Sequence, residues 1–307
     1  MRRAAAEPID GVLALDKPLG LSSNLALQQA RRLLQARKAG HTGTLDPLAS
    51  GLLPLTFGEA TKFSADLLEA DKAYEATLEL GATTSTGDAE GEVLERRPVD
   101  VSRARFEAVL GGFVGAQQQV PPMHSALKRD GRPLYELARQ GREVERASRP
   151  VCILRLALLE WDALRPRLEV ECSKGTYVRV LGQDIGAALG CGAHLHALRR
   201  TRVGPMRLEQ AIRLDELEAL DLAGRRDRLL PVDYLLGGLP RVALDAAAAQ
   251  AFGHGQRVSP LGGAPADAPR VRVYDPAGRL IGVARCAGGR LEPARLVAQD
   301  DAAALRA

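Results

Sequence analysis

Aromatic residues are scarce in this chain of 307 residues. Phe, Tyr and Trp make up 4% of it, too few for an extended stacking platform on single-stranded nucleic acid. Cysteine is rarer still: Cys152, Cys172, Cys191 and Cys286 show no Cys-x-x-Cys spacing, so free thiols are predicted rather than a disulfide or zinc framework. No apolar run approaches the length of a membrane span. The segment Met1 to Ala6 lacks the apolar stretch of a secretory leader and reads as the frayed start of a cytosolic protein. Lys174-Gly-Thr is not preceded by the glycine spacing of a phosphate loop. Only His194 and His196 among the five histidines lie close together. They would share a face of a strand, but no third ligand is near, and a tetrahedral metal site is not predicted. Neither metal nor cofactor is called for.

What remains is an ordinary globular composition, 46% hydrophobic and 26% charged, long enough for one large core with a small second domain. The net charge of +4 and a pI near 9.0 are compatible with a nucleic-acid partner without demanding one. The pattern is α+β. Gly11–Asp16 reads as a strand running into a turn at Lys17-Pro-Leu-Gly20. Ser22 or Ser23 then caps a helix carrying Leu27, Ala30 and Leu34 on one face. Strands are predicted over Leu52–Phe57, Lys72–Leu80, Val151–Trp161 and Leu168–Ser173. Helices are predicted over Glu59–Glu69, Val101–Phe113 and Arg213–Ala223, and from the Arg179 region onward. After a linker-like Leu236–Pro240 the texture changes. There a short helix Ala246–Phe252 precedes a turn into a strand at Gly253–Val258 and a hairpin around Asp275-Pro-Ala-Gly.

One stretch concentrates chemistry: Arg37-Lys-Ala-Gly-His-Thr-Gly-Thr-Leu-Asp-Pro-Leu-Ala-Ser-Gly51. It sets a lone carboxylate, Asp46, in a turn-rich loop. The plain alternative is an Asp-Pro turn with a side-chain cap. Against it, Lys38, His41 and Thr42 crowd the acid, and Gly40, Gly43 and Gly51 would let a ligand approach the backbone. Tyr74 heads the apolar face of its strand and by itself reads as a core aromatic with its hydroxyl hydrogen-bonded. Asp88 lies in a polar loop, Thr83–Gly91, that could be a simple Asx-turn. Arg179 opens a helix, unfavourably for the macrodipole, so a specific carboxylate partner is expected. From Pro122 to Arg149 the chain carries seven cations against four acids. That suggests an RNA-gripping arm, a mixed solvated surface being the alternative.

These residues carry a resemblance. Gly40-His-Thr-Gly-Thr-Leu-Asp-Pro47 resembles the catalytic motif of the pseudouridine synthases, in particular the tRNA pseudouridine-55 synthases of the TruB type. Leu15–Ser23, Lys72-Ala-Tyr74, Arg132–Gly141, Gly175-Thr-Tyr-Val-Arg179 and Ala193–Gly204 are similar to its other signatures. The resemblance implies a mixed, mainly antiparallel sheet flanked by helices over residues 1–236, with a basic thumb at about 122–150. A small β-rich, PUA-like RNA-binding domain is implied over 240–307. Asp46 would be the catalytic residue and Arg179 its partner. Tyr74 would stack on the target uracil, Leu198 line its pocket, His41 sit near the space left by the flipped base, and Asp88 approach the target nucleotide. Lys17 would be mainly structural, close to the site. Lys128, Arg129, Arg132, Arg139 and Arg142 of the thumb, with Arg199, Arg200 and Arg202, are candidate RNA phosphate contacts. His124 stands where the family pattern has Tyr, which leaves any side-chain contact there open.

The implied reaction detaches uracil from ribose C1′, turns it and rejoins it through C5 in a tRNA T-loop. It needs no redox step. Asp46 could attack C1′ or take the C2′ proton. An adjacent Arg179 should favour its charged form and lower its pKa. A non-catalytic RNA-binding or chaperone protein would not need Asp46, Tyr74 and Arg179 together. A synthase acting on another RNA is the closer rival. A glycosidase would need a second carboxylate, for which Asp88 is the one candidate.

Overall fold

The computed structural model describes residues 9–125, 127–129, 131–260, 263, 265 and 268–298. The expected frayed start at Met1–Ala6, and the last residues of the expected C-terminal domain, lie outside them.

A ten-stranded sheet organises the larger part of the chain. Strand β1 (Gly11–Lys17) leads through a turn to helix α1 (Ser23–Leu33), whose Ser22 cap accepts a hydrogen bond from Leu25 N. A short β2 (Ala39–His41) and a long β3 (Ala49–Phe57) bracket the Asp46 loop. A 3₁₀ segment, Gly58–Phe63, continues into α2 (Ser64–Leu68), where the pattern predicts one helix over Glu59–Glu69. Strand β4 (Lys72–Leu80) falls on its predicted bounds. A small hairpin, β5 (Ala82–Thr84) with β6 (Val93–Arg96), carries the Asp88 loop between its strands. Then come α3 (Arg103–Gly111) and the edge strand β7 (Gly115–Gln119). The basic arm is a two-residue hairpin, β8 (Lys128–Arg129) with β9 (Arg132–Pro133), and a short α4 (Leu134–Arg139). Strands β10 (Arg149–Glu160) and β11 (Arg167–Cys172) return to the sheet, followed by α5 (Val178–Leu189) and β12 (Ala193–Val203).

The helix predicted over Arg213–Ala223 is broken. Met206–Arg207 and Ile212–Arg213 add short strands β13 and β14 to the sheet, and α6 (Leu214–Ala219) and α7 (Leu222–Asp227) follow. Asp221 supplies the break, because its side chain caps the second helix through Gly224 N at 2.8 Å.

The main path of the sheet runs β14-β1-β3-β12-β4-β11-β10-β7. β1/β14 and β3/β12 are parallel, and the remaining pairs are antiparallel. Alternation along β4 sends Tyr74, Ala76, Leu78 and Leu80 into one core with α1, α3 and α5. The opposite face of β4 and β11 is a row of ion pairs, among them Arg165–Glu79, Arg167–Glu75 and Arg202–Glu171.

Residues 241–296 form a second, four-stranded sheet. β15 (Arg241–Ala243) lies parallel to β16 (Arg270–Tyr274), and antiparallel β17 (Leu280–Ala287) and β18 (Arg290–Leu296) follow; α8 is Ala246–Gly253. The Asp275-Pro-Ala-Gly hairpin is as predicted. The strand predicted at Val258 is a single bridge to Leu291. This sheet has its own core around Phe252, Val271 and Leu291. It is docked on the larger unit: Val283 is fully buried in one cluster with Val12, Leu52 and Phe63, and Arg270 pairs with Asp66 at 2.7 Å.

Candidate active site

The loop between β2 and β3 is held from three sides. Ser23, one residue past the cap of α1, donates from Oγ to Leu45 O at 2.9 Å and accepts from Leu45 N at 2.8 Å. Gly20 N donates to Pro47 O at 2.9 Å. Lys17 caps the same turn by donating from Nζ to Pro18 O and Leu21 O at 2.9 and 2.6 Å. The Leu15–Ser23 segment therefore immobilises the residues on either side of Asp46. Lys17 is fully buried, and burial pushes its pKa down to about 8 although Asp46 draws it upward.

Asp46 faces a cleft with its side chain 44% exposed. Its Oδ2 lies 3.1 Å from Arg179, whose side chain is only 7% exposed. The same guanidinium reaches Asp88 at 3.5 Å and donates to the carbonyls of Thr86 at 3.1 Å and His124 at 2.6 Å. The carboxylate partner expected for Arg179 is thus two carboxylates on separate loops. Asp88 makes an Asx-turn to Glu90 N at 3.1 Å and accepts from Thr86 Oγ1 at 2.5 Å, so the plain reading holds there, with the Arg179 contact beside it. The contact from position 124 comes from its backbone carbonyl, which any residue supplies; His in place of Tyr costs this bond nothing.

Arg179 acts on Asp46 in the expected direction, yet the net shift of the carboxyl is upward. Desolvation raises it, Arg179 opposes, and the nearby Asp88 carboxylate adds to the rise. The cation limits an increase that burial dominates.

Two cavities meet at this carboxylate. One, of about 540 Å³, is lined by Asp46, His41, Tyr74, Leu198, Lys72, Tyr177 and Arg200. The other, of about 690 Å³, takes in Asp46, Asp88, Glu90 and the arm residues Lys128, Tyr135 and Arg139. Most sequence-derived site residues are therefore gathered round one centre. His41 is half-buried, and burial and the Arg200 charge both lower its pKa. Lys128, Arg129, Arg132, Arg139 and Arg142 are exposed.

Arg200 does not fit its expected role. It is 1% exposed, too buried for a phosphate contact. It donates from Nε to Leu52 O and from Nη2 to Gly43 O, both at 2.8 Å, and it lies opposite Tyr74 across β12 and β4. Gly43 and Gly51, expected to admit a ligand, make room for it. A Cβ on Gly43 would lie 3.2 Å from Arg200 Nη1, and one on Gly51 would lie 2.4 Å from Arg200 O. Arg199 pairs with Asp16 at 2.7 Å and Arg202 with Glu171 at 3.1 Å, so both already have acidic partners. Tyr74, 8% exposed, is at once a core aromatic and a wall of the cavity. The His194/His196 pair is split. His194 Nδ1 lies 3.0 Å from Ala82 O, and His196 faces Glu79. Among the described residues no cluster of three or more metal-ligating side chains occurs, and no helix is long and apolar enough to cross a membrane.

A mixed sheet with a motif Asp at its cleft and a β-rich C-terminal unit is the architecture of a pseudouridine synthase, and comparison with solved structures agrees. The chain superposes with a TM-score of 0.70 and 27% identity on a chain of a Cbf5-Nop10-Gar1 complex, covering 93% of this chain and 84% of that one. For a chain of an archaeal box H/ACA sRNP Nop10-Cbf5 complex the values are 0.69 and 25%, covering 96% and 88%. Residues 31–178 match the N-terminal domain of the TruB family of pseudouridylate synthases. Residues 179–237 match the tRNA pseudouridylate synthase B C-terminal domain, and 240–297 the C-terminal domain of pseudouridine synthase II TruB. The tRNA pseudouridine synthase B of Burkholderia mallei (strain ATCC 23344) is 61% identical over 96% of both chains. That of Dechloromonas aromatica (strain RCB) is 60% identical over 96% of this chain and 98% of its own. The chain belongs to the TruB family of tRNA pseudouridine synthases, isomerases that convert uridine to pseudouridine in tRNA.

Proposed function

We propose that the target is the uridine at position 55 of the tRNA T-loop and that Asp46 carries the chemistry. The observation that bears most weight is a half-open carboxylate, backed by a buried arginine, at the mouth of a cavity walled by Tyr74 and Leu198. Such a cavity accepts a flat base, whereas the carboxylate at its rim would meet the sugar. The uridine must leave its stack to enter, which costs a few kcal/mol. His41 would occupy the RNA side of that opening. The ion pair keeps Asp46 anionic enough to act on C1′ as nucleophile or on C2′ as base.

In this reading residues 1–236 form the catalytic unit, and the arm of about 122–150 closes on the T-arm through Lys128, Arg129, Arg132, Arg139 and Arg142. The 240–307 unit is PUA-like and adds RNA contacts. Affinity would be dominated by phosphates and fall with salt, and specificity would come from loop shape and the flipped base. A tRNA substrate implies a cytoplasmic enzyme.

The test is tritium release from a T-loop hairpin labelled at uridine C5, with wild type and Asp46→Asn side by side. Release by wild type alone, with RNA binding within about threefold for both, is the expected result. Turnover by Asp46→Asn would remove Asp46 from its role. Tight binding without release by either protein would favour another RNA target, which nuclease mapping of modified sites would locate.

A further inference from the structure

Arg200 is a charge without an acid. It is fully enclosed on β12, where it donates to two backbone carbonyls and lies opposite Tyr74 on β4. No carboxylate pairs with it among the described residues. The charges that do feel it are cations. Lys17 and Lys72, both buried, are each pushed toward the neutral form in part by Arg200. Arg179 is engaged by Asp46 and Asp88. An enclosed guanidinium carries a desolvation cost of several kcal/mol unless an anion or full hydrogen bonding offsets it. Two neutral backbone acceptors offset part of this cost. Their positions are rigid: Gly43 and Gly51 are small because the guanidinium and the strand that carries it fill the space beside them.

The missing anion would have to enter the cavity that Arg200 helps to line. A phosphate is a poor candidate, because Arg200 is 1% exposed and the cavity it lines is walled in part by Tyr74 and Leu198. A base fits there, and the reaction makes the base anionic. If Asp46 attacks C1′, its oxygen pair forms the new bond while the N1–C1′ pair leaves with uracil. If Asp46 takes the C2′ proton, the C2′–H pair becomes the C1′–C2′ double bond and the N1–C1′ pair again leaves with uracil. Both routes create the same uracil anion. Both end with C5 donating a pair to C1′: on the first route the C1′–O bond breaks and its pair returns to Asp46, on the second the C1′–C2′ double-bond pair takes the proton back from Asp46 at C2′; C5 then loses its proton and N1 gains one.

We propose that Arg200 is a positioning residue that holds the Tyr74 ring and hydroxyl against the detached base, and that its uncompensated charge stabilises the uracil anion until C5 is joined to C1′. The proposal rests on the reading of this cavity as the uracil pocket. Preorganised charge aimed at where a transition state becomes negative can accelerate a reaction roughly 100-fold or more for a single donor.

The test compares wild type, Arg200→Met, Arg200→Lys and Tyr74→Phe in single-turnover reaction of T-loop hairpins carrying uridine or 5-fluorouridine, read by digestion and chromatography as loss of the N1-linked nucleoside to the C5–C1′-joined product, which in the fluorinated case keeps its fluorine and has no C5 proton to lose. Fluorine withdraws electrons and stabilises the base anion by itself. The expected result for Arg200→Met is a loss of roughly 100-fold on uridine. RNA affinity and its salt dependence should stay unchanged, and the loss should be at least about tenfold smaller on 5-fluorouridine. Arg200→Lys, keeping the charge but not the fork, should fall between. Equal losses on both substrates, undiminished turnover, or a shallower salt dependence of binding would overturn the proposal. Should Arg200→Met not fold, Arg200→Lys and Tyr74→Phe decide the matter on the same substrate ratio. A wild type that leaves uridine unconverted would instead sink the underlying reading, and this proposal with it.

Discussion

Replacing Arg179 by Met should move the acid limb of the pH–rate profile upward, by an amount the geometry bounds. The guanidinium lies 3.1 Å from Asp46 and 3.5 Å from Asp88. Unit charges about 4 Å apart interact by about 4 kcal/mol at an effective dielectric constant near 20. Asp46 is 44% exposed, so solvent screening brings its share to about 1–2 kcal/mol. Desolvation and the Asp88 charge already raise Asp46, and Arg179 is the largest opposing influence. Its loss leaves the raising influences unopposed. On the proposed mechanism the active form is the carboxylate, so the rate is lost as pH falls through the raised pKa, and that loss should begin at a higher pH in Arg179→Met. Arg179→Lys should shift the limb less while still slowing the reaction, because one ammonium cannot serve both carboxylates and both carbonyls. Single-turnover tritium release between about pH 5 and 9 measures this, with RNA binding followed separately. An unmoved acid limb would refute the electrostatic account, as would a rate loss explained wholly by weaker binding. The variant should also unfold more easily, by about 3 kcal/mol, since Asp88, 4% exposed, loses its cation.

Other consequences are open to measurement. Asp46→Asn should cost no stability at neutral pH and can add some. A carboxyl raised in the folded state binds its proton more tightly there, so wild-type stability falls as pH rises through the window between its unfolded and folded pKa values; urea midpoints at about pH 4 and 7 would show it. Lys17, lowered to about 8, works in the opposite sense. Between about pH 8 and 10.5 the unfolded chain binds the extra proton, so wild type should gain stability over that window, and Lys17→Met should lack the gain. Gly51→Ala should destabilise by on the order of 2–3 kcal/mol and impair turnover, because its Cβ would sit 2.4 Å from Arg200 O on a backbone at φ +97; a wild-type thermal midpoint would remove that constraint. Val283→Asp should undock the 241–296 unit, placing a charge in the cluster of Leu52 and Phe63, whereas Arg270→Ala, at a 42% exposed ion pair, should cost under about 1 kcal/mol; small-angle scattering separates the two.

Strands and pocket residues are legible where the signal is local. The alternation over Lys72–Leu80 marks a strand and its buried face, and Ser22 announces α1. The motifs single out Asp46, Arg179, Tyr74 and Asp88, and the fold brings them round one cleft. Elements set by distant partners are not legible: β14 exists because Leu15 and Asp16 lie beside Ile212 and Arg213. Likewise β15 and β18 form only as neighbours of a hairpin. The sign of the Asp46 shift also escapes, because a motif shows which charge is adjacent but not how much water is removed.

Arg200 misleads in the sequence although two signals for its burial are present there. In a strand, residues two apart share a face, so placing Leu198 in the cavity already places Arg200 on the same side. Two glycines in the Asp46 motif suggest an approaching ligand, when the group that needs their space belongs to the chain itself. Pairing register joins the two facts: Leu198 lies beside Ala49 and Arg200 beside Gly51 across β12 and β3. An arginine in an Arg-Arg-x-Arg run looks like a surface cation, and Arg199 and Arg202, which find acids, behave like one. The residue between them has none among the described residues, is closed off from solvent, and lines the same cavity as Tyr74, its neighbour across β12 and β4. A buried charge that the fold leaves unpaired is costly to keep, and on the proposed mechanism an anion would stand in that cavity only while the base is detached.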